Sequence, residues 1–156
     1  MELAGPSLIV VADGRQARLF EEHRRGGPLT DVTTLLGDLS PHRPEASGSR
    51  GGAHDRLGPA SHTGDGPTPQ DRREADFVGL VGVRAAEIMR RGGYQDLILI
   101  AAPRALGQLR QAMAHARVPV AETEAHDRVS ETPASLRTRL RELRLGAATT
   151  APQLRR

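Results

Sequence analysis

The fold is decided by one stretch of the sequence, Leu97-Ile98-Leu99-Ile100-Ala101-Ala102-Pro103-Arg104-Ala105-Leu106-Gly107. Its first residues are continuously apolar, as in a parallel strand that is covered on both faces. Pro103 suits the first turn of a helix, and apolar residues follow it at helical spacing. A further strand over 118–123 completes a β-α-β unit, and Pro119 favours an edge position for that strand.

A second stretch, from Ser7 to Glu21, has the pattern of a β-hairpin. Residues 8–12 are apolar on both faces, as in a central strand. Asp13-Gly14 then predicts a tight type I′ turn with positive φ angles, and the return strand spans 15–21. A third strand is predicted over 29–36, where threonine and valine favour extended structure.

Two more helices follow from the apolar spacing. One begins at Asp71, presents a single apolar stripe and ends at Gly92-Gly93. The last helix opens at Thr132-Pro133, an N-cap followed by a favourable first residue. Together these elements predict an α/β fold: a mixed sheet of about five strands with an N-terminal β-hairpin, a β-α-β unit and three flanking helices.

The chain is expected to form a single α/β domain over residues 1–145. Residues 37–70 are crowded with Gly, Pro, Ser and His, and such a segment buries too little apolar surface to offset its ordering entropy. It is therefore interpreted as a long flexible Gly/Pro-rich loop within the domain. Residues 146–156 are predicted to be a disordered basic tail.

Composition excludes some classes of protein. All 22 basic residues are arginine and face 19 acidic residues, for a net charge of +3. A compositional bias of the encoding genome explains the absence of lysine as well as selection for guanidinium chemistry does. The absence of cysteine excludes disulfides, thiolate metal sites and a cysteine nucleophile. The first residues lack a positively charged segment and a long apolar run, which predicts a cytoplasmic protein with no membrane span.

Four blocks of sequence carry a family resemblance. They are Val10 to Glu21, Arg73 to Phe77, Asp96 to Arg110, and His126 to Ser130. In this order, over about Leu8 to Leu143, they resemble the bacterial family of host attachment proteins. The resemblance implies a mixed α/β sheet, kinship with the middle domain of archaeal and eukaryotic peptide-chain release factors, and a role in attachment to host cells. It implies no mechanism, since kinship of fold does not transfer function.

The turn Ala102-Pro103-Arg104 is a candidate anion-binding site. There the carboxyl end of a strand meets the N-terminus of a helix, which attracts anions, and Arg104 supplies a counter-charge. The alternative is a tight turn with a solvated arginine.

The last helix carries a candidate nucleic-acid-binding face. Arg137, Arg141 and Arg144 lie on one side of it, and Arg155 and Arg156 end the chain, so this end of the protein is basic. A solvated helix face is the alternative explanation. The shortage of aromatic residues disfavours binding of single strands by stacking.

No catalytic constellation stands out. Gly51-Gly52-Ala53 matches the Gly-Gly-Gln tripeptide of release factors only in part. His126, Asp127 and Ser130 suggest a hydrolase, but they are neighbours in sequence and serve equally well as a turn before a helix. The six histidines, His54 and His62 in the loop among them, lack the spacing of a metal site, and no phosphate-binding glycine loop is present. The sequence thus predicts no metal and no cofactor.

The function that these observations favour is a non-enzymatic binding protein of the host attachment family, acting through an unidentified protein partner. One alternative is a factor associated with RNA or the ribosome that contacts phosphates through the arginines of the last helix. A second alternative is a hydrolase that uses the loop or the region of His126.

Overall fold

The structure, a computed structural model, describes residues 5–39 and 66–150. The strands are β1 (Ser7–Ala12), β2 (Ala17–Glu22), β3 (Leu29–Asp31), β4 (Asp96–Ala101) and β5 (Glu122–Ala125). The helices are α1 (Pro69–Gly92), α2 (Pro103–Ala116) and α3 (Pro133–Thr150), and a 3₁₀ turn spans Thr33–Leu36. None of the helices in these ranges combines the length and the hydrophobicity that a membrane-spanning segment requires.

One mixed sheet joins the hairpin to the later β-α-β unit. Its strand order is β3-β2-β1-β4-β5. The hairpin strands and β3 pair antiparallel, whereas β1 pairs with β4 and β4 with β5 in parallel. The predicted α/β fold, with five strands and three helices, is confirmed, and β5 lies at an edge as Pro119 indicates.

The core lies on both faces of the sheet, because the central strands are buried throughout. Every residue of β1 is buried, and so is every residue of β4 after Asp96. Leu8, Val10 and Ala12 face α1 and α2, whereas Ile9 and Val11 face α3. The continuous apolar runs of the sequence therefore report strands that are covered on two sides.

The helix starts follow from their capping residues. The Thr68 side chain accepts a hydrogen bond from the Asp71 amide, and the Asp71 carboxylate accepts one from the Thr68 amide, which places the start of α1 at Pro69 rather than at the predicted Asp71. At α3 the Ser135 amide donates to Thr132 Oγ1 at 3.1 Å, which confirms the predicted N-cap. Pro103 occupies the first turn of α2, as expected.

The hairpin turn differs from the prediction. Gly14 does not have a positive φ, so the type I′ assignment is wrong. The connection has four residues, 13–16, and Asp13 Oδ1 accepts hydrogen bonds from the amides of Arg15 and Gln16 at 2.7 Å each. An aspartate side chain that satisfies the turn amides makes a longer connection stable without a left-handed residue.

Two predicted strands have shifted boundaries. The third strand ends at Asp31 rather than at residue 36, because the Asp31 carboxylate accepts the Thr33 amide at 2.9 Å and begins the 3₁₀ turn. The last strand begins at Glu122 rather than at residue 118. The Val118 amide donates a hydrogen bond to Met113 O, and Pro119 has no amide hydrogen. Neither residue can therefore donate a hydrogen bond to a neighbouring strand.

The C-terminal helix is longer than predicted. It continues past Gly146 to Thr150, so residues 146–150 are helical instead of part of a disordered tail. A glycine inside a helix costs only about 1 kcal/mol, and alanines follow it here. Residues 151–156, with Arg155 and Arg156, lie outside the described residues. So does 40–65, which is most of the predicted loop at 37–70 and contains Gly51 to Ala53.

Close packing of α1 on α2 depends on a missing side chain. Gly82 is buried in α1, and a Cβ atom built on it would lie 2.6 Å from the Cβ of Ala112 in α2. That distance is well inside van der Waals contact. On the same helix, Gly79 has no atom within 4 Å of the corresponding position.

Gly82→Ala is therefore expected to destabilise the protein by about 1–3 kcal/mol, although alanine is the better helix former, because the two helices must move apart. Gly79→Ala is the matched control, and we expect it to stabilise the protein by about 0.5–1 kcal/mol. Urea unfolding measures both variants. The double variant Gly82→Ala/Ala112→Gly restores the space and should recover most of the loss. Destabilisation that persists in it would contradict this account.

Candidate anion-binding site

The last strand of the hairpin is joined to α3 by a buried ion pair. Arg144 Nη1 donates to Glu22 Oε2 at 2.9 Å, and Arg144 Nη2 donates to Oε1 at 2.8 Å. The two side chains are only 11% and 1% exposed. The Gly26 amide also donates to Oε2, at 2.9 Å. This arrangement holds the β2–β3 turn and the end of α3 together with a fixed geometry.

Both members of the pair are charged. Burial alone would raise the pKa of the Glu22 carboxyl, but the hydrogen bonds from Arg144 and from the Gly26 amide outweigh it and hold that pKa below its ordinary value of 4.5. The hydrogen bonds to Glu22 raise the pKa of the Arg144 guanidinium. Because the two charges cancel, the pair forms an electrically neutral floor at this place.

Above this floor lies a pocket of about 320 Å³, which we call the arginine pocket. Its lining residues are Glu22, Arg25, Gly26, Arg137, Arg141, Arg144 and Leu145. Arg137 Nε donates to Gly26 O at 2.9 Å, so a second link joins α3 to the turn. Arg141 lies between the two links, one helical turn beyond Arg137 and on the same face.

Three guanidinium groups of the pocket have no carboxylate within ion-pair distance in the part of the chain that the structure describes. They belong to Arg25, Arg137 and Arg141. The one carboxylate of the lining, Glu22, is already bound by Arg144. Three cations around one concavity are suited to bind an anion.

The predicted nucleic-acid-binding residues are thus brought together, although with unequal roles. Arg137 and Arg141 offer their guanidinium groups to the pocket, whereas both terminal nitrogens of Arg144 already donate to Glu22. Phosphate binding by these residues stays a prediction. Sequence analysis missed Arg25 and Gly26. Their signal is the basic, glycine-containing run at 23–27, but only the fold places that run beside α3.

Arg104, the residue predicted to bind an anion at the turn before α2, is in a different environment. Its side chain is 74% exposed, and Nη1 lies 3.1 Å from Asp71 Oδ1, at the start of α1. The crevice beside it measures about 100 Å³ and is also lined by Glu74 and Gln108. Hydrogen bonds from Thr68, with a further contribution from Arg104, lower the pKa of Asp71, so this carboxylate is charged and compensates Arg104. Anion binding at Arg104 stays a prediction. The charge of Arg104 is compensated by Asp71, whereas the arginine pocket has an excess of positive charge.

The residues of the hydrolase alternative form a turn. Asp127 Oδ1 accepts the Val129 amide at 3.2 Å. Within the described ranges no hydrogen bond joins His126 to Asp127 or Ser130, and no three His, Asp or Glu side chains are grouped as metal ligands. His54, His62 and the glycine pair at 51–52 lie outside the described residues.

Comparison with known families gives one result. Residues 8–140 match a family model described as "Protein required for attachment to host cells". The chain belongs to this family. Comparison with curated proteins gives no match. The host-attachment match includes the β2–β3 turn and Arg137, whereas Arg141 and Arg144 lie just beyond its last matched residue.

The Glu22–Arg144 pair makes a testable contribution to stability. Arg144→Met leaves a buried carboxylate without its main partner, and we expect it to cost about 3 kcal/mol near pH 7. In the unaltered protein the pKa of Glu22 is lowered, so its contribution is present above the ordinary carboxyl pKa and is lost as the pH falls through the lowered value. In the variant the hydrogen bonds and charge of Arg144 are gone, so the pKa of Glu22 is higher than in the unaltered protein, protonation at lower pH relieves the penalty, and the deficit shrinks toward about pH 5.

Urea unfolding at the two pH values measures this difference. Arg141→Met is the matched control, since it removes the same side chain from the same helix face without breaking an ion pair, and it should change stability by no more than about 0.5 kcal/mol. A deficit in Arg144→Met that is absent, or that does not depend on pH, would show that the pair does not hold α3 in place.

Proposed function

We propose that this member of the host-attachment family is a non-enzymatic binding protein, and that its partner is RNA bound through the arginine pocket. The observation that carries the proposal is the meeting of three guanidinium groups, from Arg25, Arg137 and Arg141, over a floor whose only carboxylate is neutralised. Guanidinium groups bind phosphate oxygens through two parallel hydrogen bonds, which suits them to a phosphate-rich partner.

The shape of the pocket favours single-stranded RNA over a duplex. A duplex is stiff and presents its phosphates along an extended surface, whereas a single strand bends into a local concavity. The lining residues include no aromatic side chain on which a base can stack. Contacts to phosphates alone carry no information about the bases, so binding is expected to tolerate different sequences and to depend on salt.

The chemistry of the lining supports binding rather than catalysis. Arginine stays protonated at any physiological pH, so its guanidinium neither accepts a proton nor attacks an electrophile. Glu22 has an ionised carboxylate, but Arg144 and the Gly26 amide already occupy its oxygens. The pocket thus has groups that hold an anion and lacks a free base or nucleophile among its lining residues.

An RNA partner implies a cytoplasmic location, and it fits the kinship with release factors that the sequence resemblance implies. Neither statement carries the proposal, since a shared fold does not transfer function. The family description names a requirement for attachment to host cells. On this proposal, RNA binding contributes to attachment indirectly.

The proposal predicts salt-dependent binding of single-stranded RNA. With one to three phosphates contacted by the three arginines, the logarithm of the association constant should fall with the logarithm of salt concentration with a slope between about −0.7 and −2. Filter binding of an unstructured oligoribonucleotide measures it. Replacing Arg25, Arg137 and Arg141 with glutamine should weaken binding by at least about tenfold at low salt. We also expect the RNA to be recovered at full length after incubation.

The matched control replaces Arg90, Arg91 and Arg110 with glutamine, which removes the same charge from exposed arginines of α1 and α2 that also lack carboxylate partners within the described ranges. It should bind RNA within about twofold of the unaltered protein. Equal losses in the two triple variants, no binding at low salt, or equally tight binding of polyglutamate would overturn the choice of RNA. Cleavage of the RNA that disappears in the pocket variant would overturn the non-enzymatic assignment.

A further inference from the structure

We propose that the arginine pocket recognises a phosphomonoester, that is, the terminal phosphate of an RNA strand rather than a phosphate within it. This inference rests on the proposed function and narrows its ligand. Three features of the pocket support it: how α3 and the β2–β3 turn are linked beside it, how many charges it offers, and what lies at its rim.

Two links between α3 and the β2–β3 turn cross the place where a strand would have to pass through the pocket. One is the hydrogen bond from Arg137 to Gly26 O, and the other is the ion pair between Arg144 and Glu22. Arg141 lies between them. An internal phosphate needs room for the strand to enter and to leave, and a strand that passed between helix and turn would have to break one of these links. A terminal phosphate needs only one opening.

The charge of the pocket also matches a terminal phosphate. An internal phosphodiester carries one negative charge and two free oxygens, whereas a phosphomonoester carries about −1.5 to −2 near pH 7 and three acceptor oxygens. The cations without carboxylate partners in the described residues are three, Arg25, Arg137 and Arg141. Without Arg144, the carboxylate of Glu22 would repel a bound phosphate. The ion pair with Arg144 cancels that charge.

The rim and the volume leave room for more than an ion. Leu145 is 61% exposed and borders the pocket, so it offers an apolar surface to the ribose or base of a terminal nucleotide. A volume of about 320 Å³ lies at the small end of the range of pockets that bind small organic ligands. The pocket therefore fits a terminal nucleotide with its phosphate held by the arginines.

The test compares three oligoribonucleotides of one sequence, labelled internally: one with a 5′-phosphate, one with a 3′-phosphate and one with hydroxyl groups at both ends. Fluorescence anisotropy measures their affinities for the unaltered protein, for Arg141→Gln and for the control Arg110→Gln. We expect one phosphorylated oligomer to bind at least about tenfold tighter than the hydroxyl form. Arg141→Gln should reduce that preference to about twofold or less, and Arg110→Gln should keep it.

Arg141→Gln keeps both links between α3 and the turn, and we therefore expect its midpoint of urea unfolding to be unchanged. An unchanged midpoint confirms that the variant is folded. Preference for the 5′ or the 3′ form identifies which end the pocket takes. Equal binding of all three oligomers, weakened equally by Arg141→Gln, would overturn the terminal-phosphate inference and leave RNA binding standing. A preference that survives Arg141→Gln would overturn the assignment to this pocket. If no oligomer binds, the proposed function fails as well.

Discussion

Burial of β1 and β4 on both faces means that the sheet needs cover on two sides, and within the described residues one of those sides is covered by α3 together with Val129 of the turn before it. The apolar contact from α3 is modest, with Leu136 and Leu140 as its buried residues and Leu143 partly buried. Polar links supply the rest of its attachment, and they run from α3 arginines to three places: the end of β2, the β2–β3 turn, and β5.

The arginines of α3 differ in what they bind, and this difference accounts for the composition of the arginine pocket. Of the four arginines on α3, Arg137, Arg139 and Arg144 each bind a group on the sheet or its turn. Arg139 shares Glu124 with Arg128; burial alone would raise the pKa of Glu124, but these two arginines hold it below its usual value. Arg141 has no such link in the described chain, although its neighbours fix the helix that carries it. The contacts of Arg137, Arg139 and Arg144 with the sheet and its turn thus fix the position of Arg141, which makes no such contact itself.

The absence of lysine acquires a structural meaning here. Arg144 uses two terminal nitrogens on one carboxylate, and Arg128 binds Glu124 and Glu131 from different nitrogens at 2.9 and 2.7 Å. A lysine ammonium is a single point of charge and cannot reproduce such forked contacts. The contacts between α3 and the sheet, and those of the turn before α3, therefore depend on the geometry of the guanidinium group, whatever the reason that every basic residue of the chain is arginine.

The parts of the fold that local sequence controls were predictable. The buried run at 97–101 and the caps at Pro103 and Thr132 depend on residues within one turn of each other. The ends of β3 and β5 and the hairpin turn were not, because single side chains such as Asp13 and Asp31 redirect the backbone there. In the site, helical spacing indicated the face of Arg137 and Arg141. Its meeting with Arg25, more than a hundred residues away, depends on strand order alone.

We propose that the functional surface lies where α3 meets the β2–β3 turn. A nuclear magnetic resonance titration with a phosphorylated oligoribonucleotide reports the binding surface residue by residue and can locate it. We expect the Gly26 amide and the Nε signals of Arg137 and Arg141 to shift together and to saturate. Shifts confined to Gly14, Arg104 and Gln108, at the opposite end of the parallel strands, would contradict it.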